Sequence, residues 1–201
     1  MPDFVTPPMI LAAWALAGYF LGSIPFGILV AQLMGLGDLR QIGSGNIGAT
    51  NVLRTGSKLG AALTLIADAG KAGAAVLLAR AVTAEDAAQL AGLAAFFGHC
   101  YPIWLRFSGG KGVSTFFGLL FALAWPIGLV AGTTWIIIAA IFRYSSLAAL
   151  ITALVTPLFV IILPQYQMLT ISIAITFLIF WRHRENIRRI IDLKENKIGQ
   201  K

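Results

Sequence analysis

From Met9 to Trp181 the chain is a succession of apolar stretches of bilayer-crossing length, with the charged and glycine-rich residues gathered almost wholly in the gaps. A helix needs about 20 apolar residues to cross the hydrocarbon layer. A chain with this much apolar sequence cannot bury it around one water-soluble core, so lipid must cover the remainder. Composition agrees: 58% of residues are apolar and only 11% charged, with a mean hydropathy of +0.84, against roughly 25% charged residues in a soluble domain. The expected fold is all-α, a polytopic integral membrane helical bundle. It forms one membrane-embedded domain over residues 1–201, with a basic tail at 187–201. The first run starts near residue 9 without a basic leader and continues past signal-peptide length, which predicts a retained span. The single cysteine, Cys100, rules out an internal disulfide.

The apolar pattern predicts seven spans. The first covers Met9 to Met34 and is followed by a polar loop at 35–57. The second covers Leu59 to Ala79, and a turn at Arg80–Asp86 leads to a third from Ala87 to Leu105, with His99 near its end. After Arg106–Gly112, the run from Val113 to Phe142 has 30 residues. At about 1.5 Å per residue that is too long for one span. Trp125-Pro126 lies near its middle, where a proline breaks a helix and a tryptophan favours an interface, so the run divides there. The last two spans are Ser146–Leu163 and Gln167–Trp181, separated by Pro164-Gln165.

Charge tests this parity. With seven spans, Arg40, Arg54, Lys58, Arg106, Lys111 and Arg143 share a side with the seven basic residues from Arg182 onward, and only Arg80 lies opposite. Thirteen against one is a strong positive-inside bias. It predicts a periplasmic N-terminus, with cytoplasmic polar loops and C-terminus. The net charge of +7 suits contact with an anionic leaflet of the lipid bilayer, and nucleic acid is not an expected partner of so apolar a chain.

Three polar clusters then fall on one face. The first is Gly43-Ser44-Gly45-Asn46-Ile47-Gly48-Ala49-Thr50-Asn51, closed by Arg54. The second joins His99 to Ser108-Gly109-Gly110-Lys111-Gly112. The third is Arg182-His183-Arg184-Glu185-Asn186. Glycines bring backbone N–H groups close to an anion, and hydroxyls, amides and cations add donors around the same point. Two such loops suit two phosphates, or one phosphate held from two sides. Neither follows the Walker pattern, and no acidic Mg²⁺ ligand follows either loop.

Plainer readings stand beside these. Gly109-Gly110 alone reads as a turn or a close helix contact. Arg182, Arg184, Arg188 and Arg189 read as head-group anchors, most simply the last two. Trp14, Trp104, Trp125 and Trp181 read as interface anchors. Asp68 and Lys71, three apart within the second span, read either as an internal ion pair holding helices in register or as support for the anion site. His183 and Asn186 share a helical face at a depth where an anchor would be basic.

The missing chemistry narrows the choice. Two histidines and one cysteine make no zinc site, and no metal or cofactor is implied. Neither histidine is followed four residues later by Asp, and no serine sits in a nucleophile elbow. Catalysis, if present, rests on anion binding, orientation and electrostatics, with histidine the side chain that titrates near neutrality.

Gly-Ser-Ile-Pro-Phe-Gly at 22–27, the 43–51 loop, Gly98-His99 with Pro102, Gly-Gly-Lys-Gly at 109–112 and Arg-His-Arg-Glu-Asn at 182–186 together resemble the bacterial acyl-phosphate:glycerol-3-phosphate acyltransferases, the PlsY family. The resemblance implies a seven-span inner-membrane enzyme making lysophosphatidic acid from glycerol 3-phosphate and a long-chain acyl phosphate. It assigns Ser44, Arg54, Lys111, His183 and Asn186 to glycerol 3-phosphate and the transferred group. The loop around Gly43, Gly45, Asn46 and Gly48 would cradle the acyl phosphate, with Thr50, Asn51, Ser108, Gly109, Gly110 and Gly112 completing the binding segments. His99 would orient the loops or assist proton transfer, which with His183 and Asn186 gives the expected catalytic set. Ser108 stands where relatives often have Lys or another polar residue. A transporter for an organic phosphate is the alternative, although only Asp68 and Lys71 offer charge at mid-membrane depth. A lipid-binding scaffold would leave His183 and Asn186 without a purpose.

Overall fold

The computed structural model describes residues 2–199, and all regular structure among them is helical. The helices are α1 (Pro8–Gly22), α2 (Phe26–Leu33), α3 (Ala49–Leu53), α4 (Lys58–Val82), α5 (Glu85–Cys100), α6 (Val113–Leu123), α7 (Trp125–Phe142), α8 (Ser145–Ile162), α9 (Leu169–Arg182) and α10 (Arg184–Ile191). Four segments are long and apolar enough to cross a membrane: Pro8–Leu33, Lys58–Val82, Trp125–Phe142 and Ser145–Ile162. Val113–Leu123 and Tyr166–Arg182 are shorter apolar helices. The predicted tail at 187–201 begins within α10, and its last two positions, 200 and 201, lie outside the described residues.

Local chemistry explains the boundaries. Pro25 has no N–H to donate, and the first apolar run breaks into α1 and α2 at Ser23-Ile24-Pro25. The carbonyl freed there is not left bare, because Lys71 Nζ donates to Ile24 O at 2.8 Å. Ser57 caps α4, accepting from the Gly60 N–H at 3.0 Å. The long run divides at Ala124, whose backbone is extended, and Pro126 opens α7 where no N–H is needed. Within the polar loop at 35–57, Ala49–Leu53 closes into the short helix α3.

Small residues set the packing. α5 lies at the centre, with Ala87, Ala88, Ala91, Ala95 and Phe96 fully buried. Gly18 and Gly22 of α1 meet the backbone of Ala91 and Ala95, where any side chain would collide. Gly118 of α6 meets Ala69 of α4 in the same way. Close backbone approach through small residues is how helices associate when lipid removes the hydrophobic drive between them.

Polar contacts then divide between the two ends of the bundle. At one end Arg40 reaches Ser108 O at 2.8 Å, Thr50 meets Ser145 at 3.1 Å and Lys111 meets Asn186 at 2.6 Å. At the other, Thr6 Oγ1 bonds Asp86 at 2.7 Å and Trp14 Nε1 bonds Thr83 at 2.7 Å. Arg80 there bridges Glu85 and the last carbonyls of α6, with Ala122 O at 2.6 Å. The tryptophans differ in use. Trp125 and Trp181 are 67% and 61% exposed, whereas Trp14 and Trp104 also tie α1 to the far segments, Trp104 donating to Ser23 at 2.7 Å.

Candidate functional site

The glycine-rich loop is held by one buried amide. Gly43 and Gly45 adopt φ values of +52° and +65°, a region that costs a side chain but not glycine. These two turns bring Ser44 back over α3. Asn51, 1% exposed, donates to Leu39 O at 2.8 Å. Its Oδ1 accepts from the Ser44 N–H at 3.1 Å and from Arg54 Nη1 at 3.3 Å, with the Ser44 hydroxyl at 3.4 Å. Asn51 therefore fixes where Ser44 and Arg54 stand, and both of these line the cavity beside it.

The second loop is built on His99. The Gly109 and Gly110 N–H groups donate to Cys100 O at 3.2 Å and His99 O at 3.1 Å, and a side chain at Gly110 would strike the His99 ring. Arg182 holds the carbonyls of both glycines at 3.0 and 3.1 Å. That arrangement aims the next residues, Lys111 and Gly112, toward the cavity. The uncapped first turn of α6 follows directly, and Gly112, Val113 and Ser114 all line the same space. A helix N-terminus favours an anion through its free N–H groups and its dipole.

The third cluster closes the ring. His183 is 2% exposed and its Nδ1 lies 2.8 Å from Ile179 O. A carbonyl only accepts, so Nδ1 carries the proton and Nε2 is the acceptor. Burial pushes the His183 pKa down to about 4, so the ring is neutral at physiological pH. Lys111 Nζ donates to Asn186 Oδ1 at 2.6 Å. Burial, then the neighbouring Arg189 guanidinium, push the Lys111 ammonium down to about 8.

These groups line one cavity of about 900 Å³. Of the residues singled out in the sequence, Ser44, Asn46, Gly48, Thr50, Asn51, Arg54, His99, Lys111, Gly112, His183 and Asn186 line it. Gly43, Gly45, Ser108, Gly109 and Gly110 do not. The Gly45 N–H is turned back onto Ile42 O at 2.9 Å, the Ser108 carbonyl accepts from Arg40, and Gly109-Gly110 lie behind the cavity against His99. Their contribution is to shape the loops. His99 itself is 5% exposed, with Nδ1 3.5 Å from Asp68 Oδ1, and Asp68 bonds Lys71 at 2.7 Å. The pair at 68 and 71 thus serves both the α1–α2 break and the histidine.

Three contributors escaped the sequence reading. Ser145 and Ser146, at the start of an apolar helix, line the cavity, as does Glu195 of the tail. Glu195 accepts from Ser146 Oγ at 2.7 Å and Asn186 Nδ2 at 2.6 Å, and pairs with Arg189 at 2.7 Å. Arg189 is thereby engaged with a carboxylate beside the site, which corrects its reading as a simple head-group anchor.

The cavity has two chemistries. Its polar end is made by the three clusters, and an apolar limb runs along α6 between α4 and α7, past Leu65, Ile66, Phe117, Phe121, Trp135 and Ile136. Such a site suits an anionic head with a hydrocarbon chain, carried by a multi-pass membrane protein. Comparison with known proteins agrees. The chain belongs to the glycerol-3-phosphate acyltransferase family, whose model matches residues 12–193. It is 58% identical to the glycerol-3-phosphate acyltransferase of Dinoroseobacter shibae, over all of this chain and 99% of that one. The enzyme of Caulobacter vibrioides is 54% identical over 92% of this chain and 86% of its own length. Two crystal structures of PlsY, an integral membrane glycerol 3-phosphate acyltransferase, superpose on it. The glycerol 3-phosphate form has a TM-score of 0.88 at 37% identity, covering 94% of this chain and 96% of that one. The lysophosphatidic acid form has a TM-score of 0.85 at 34% identity, covering 94% and 95%.

Proposed function

We propose that this protein transfers a fatty acyl group from acyl phosphate to the sn-1 hydroxyl of glycerol 3-phosphate, releasing inorganic phosphate and lysophosphatidic acid. The observation that carries this reading is the single cavity in which Ser44, Arg54, Lys111 and His183 meet at the head of an apolar limb. Relatives named for glycerol 3-phosphate, one of them seen in glycerol 3-phosphate and lysophosphatidic acid forms, support it.

In this reading, Arg54 and Lys111 hold phosphate oxygens, and the first turn of α6 and the loop at Asn46 and Gly48 supply further donors. The acyl chain lies in the apolar limb, which puts its carbonyl at the polar end. His183 Nε2 accepts from the attacking hydroxyl and orients it. With a pKa near 4 it is too weak a base to keep the proton at neutral pH. The hydroxyl oxygen bonds to the carbonyl carbon, the carbon–oxygen bond to phosphate breaks, and the leaving phosphate takes the proton. Phosphate is a good leaving group, so neither a serine acyl-enzyme nor a metal is needed. We further propose seven spans forming one domain in the bacterial inner membrane, with the N-terminus periplasmic and the site cytoplasmic, as the basic-residue asymmetry favours.

Purified protein given palmitoyl phosphate and glycerol 3-phosphate is expected to release phosphate and form lysophosphatidate at a rate unaffected by chelator. Equal turnover with acyl-CoA refutes the donor assignment. Arg54→Ala is expected to raise KM for glycerol 3-phosphate by about 10- to 100-fold, the cost of one charge-assisted contact to phosphate. An unchanged KM removes Arg54 from phosphate binding.

A further inference from the structure

The described tail does not simply trail from the bundle. After α10, Leu193 takes a left-handed backbone at φ +56° and turns the chain back toward the bundle. Ile198 N then donates to Arg143 O at 2.6 Å and Arg143 Nη2 to Ile198 O at 3.0 Å, which fastens the tail to the α7–α8 junction. Between these two points Glu195 is pressed into the cavity wall, its side chain only 7% exposed. Three donors from two helices converge on its carboxylate: Ser146 from α8, and Asn186 and Arg189, one turn apart on α10.

We propose that Glu195 is a positioning residue of the glycerol 3-phosphate site, acting through Asn186 on Lys111. An amide side chain can bond an ammonium only through its oxygen. The Asn186 Nδ2 group is held by Glu195 Oε1 at 2.6 Å, which leaves Oδ1 facing Lys111 Nζ at 2.6 Å. Without an acceptor at 195 nothing holds that orientation, and the Lys111 ammonium loses its fixed place. The carboxylate accepts from Ser146 and Asn186 on Oε1 and from Arg189 on Oε2, and an ionised acid has no proton to offer a phosphate oxygen, which marks it as part of the scaffold. It also offsets local cationic charge. Facing Lys111 are Arg182 from α9, Arg189 and Glu185 from α10 and Glu195 from the tail, with neutral His183 beside them and Arg54 across the cavity. Glu195 is one of two carboxylates that keep Lys111 charged.

This inference rests on the reading of the cavity as a glycerol 3-phosphate site, and the test separates the two. Binding of glycerol 3-phosphate is measured by calorimetry on the full-length detergent-solubilised protein from pH 6 to 9.5, with thermal unfolding alongside. In Glu195→Ala, Kd is expected to rise about tenfold, with the basic limb of binding moved about one unit lower. Glu195→Gln, of the same shape, is expected to show the same pH shift with a smaller rise in Kd. Glu185→Gln, at an exposed acid that acts on Lys111 through charge without these contacts, is expected to match wild type in Kd at pH 6 and to move the basic limb less than Glu195→Gln. An Asn186→Ala background is expected to abolish the effect of Glu195→Ala on Kd, since the path runs through that amide. Wild-type Kd and an unmoved limb in both Glu195 variants overturn the proposal, as does a loss confined to thermal stability. Wild-type binding without acyl transfer from acyl phosphate refutes the donor assignment and leaves Glu195 standing. No binding by wild type refutes both.

Discussion

Lys111→Met is expected to lower kcat/KM for acyl transfer by about 10²- to 10³-fold, the loss seen when one preorganised donor is taken from a developing anion. Lys111 leaves the second loop beside the free N–H groups of α6, and Asn186 fixes its ammonium, so in the proposed reaction the charge costs no reorganisation when phosphate leaves. Its acidity supplies a second reading of the same residue. With its pKa pushed down to about 8, Lys111 is charged below that pH and neutral above it. Activity measured as kcat/KM, which reports the free enzyme, is therefore expected to fall as pH rises through about 8. Lys111→Arg keeps its charge throughout that range, so its profile is expected to lose this limb. A wild-type profile flat to pH 9.5 would detach the limb from Lys111, and a Lys111→Met variant of full activity would remove the residue from the chemistry.

The other large effect concerns folding. Asp68→Ala is expected to destabilise the protein by about 3–5 kcal/mol, the cost of leaving one member of a buried pair without its partner. Asp68 and Lys71 are buried, and the remaining acceptor on the ammonium is the Ile24 carbonyl at 2.8 Å. The measurement is thermal unfolding in detergent. Replacing both groups, as in Asp68→Ala with Lys71→Met, is expected to recover much of the loss, because no charge is then left unpaired. Recovery that is absent would mean Lys71 matters chiefly as the donor that seals the α1–α2 break. The single variant also frees His99, whose Nδ1 lies 3.5 Å from Asp68 Oδ1, so activity is expected to fall alongside stability.

What the sequence revealed and what it hid follow from the range of the forces involved. The break before Trp125 is local chemistry, since Pro126 suits the first turn of a helix, where no N–H is needed. The grouping of Ser44, Lys111 and His183 was legible because apolar stretches of lipid length leave polar segments few places to go. The role of Asn51 was not, because an amide in a glycine-rich loop looks like a ligand donor. Only the folded turn shows that its oxygen is already taken up by Ser44 and Arg54. Glu195 was hidden for a similar reason. It sits among Lys194, Asn196 and Lys197, a composition that reads as solvated chain, and its return to the cavity depends on one left-handed residue at 193. Ser145 and Ser146 were masked by the apolar helix they begin. The carbonyls of Gly109 and Gly110, held by Arg182, are a contact no spacing rule displays.

The flank of the apolar limb is open: Leu65, Ile66, Phe121 and Ile136 line it yet remain 46–68% exposed on the outer face of the bundle. On the proposed function, a fatty donor would have a sideways door from the membrane interior and need never dissolve in water to arrive. The concentration that governs turnover would then be the donor's surface density among neighbouring lipids, while the small partner would be drawn from the aqueous phase. The product would leave by the same lateral route, already lodged in the leaflet it helps to enlarge.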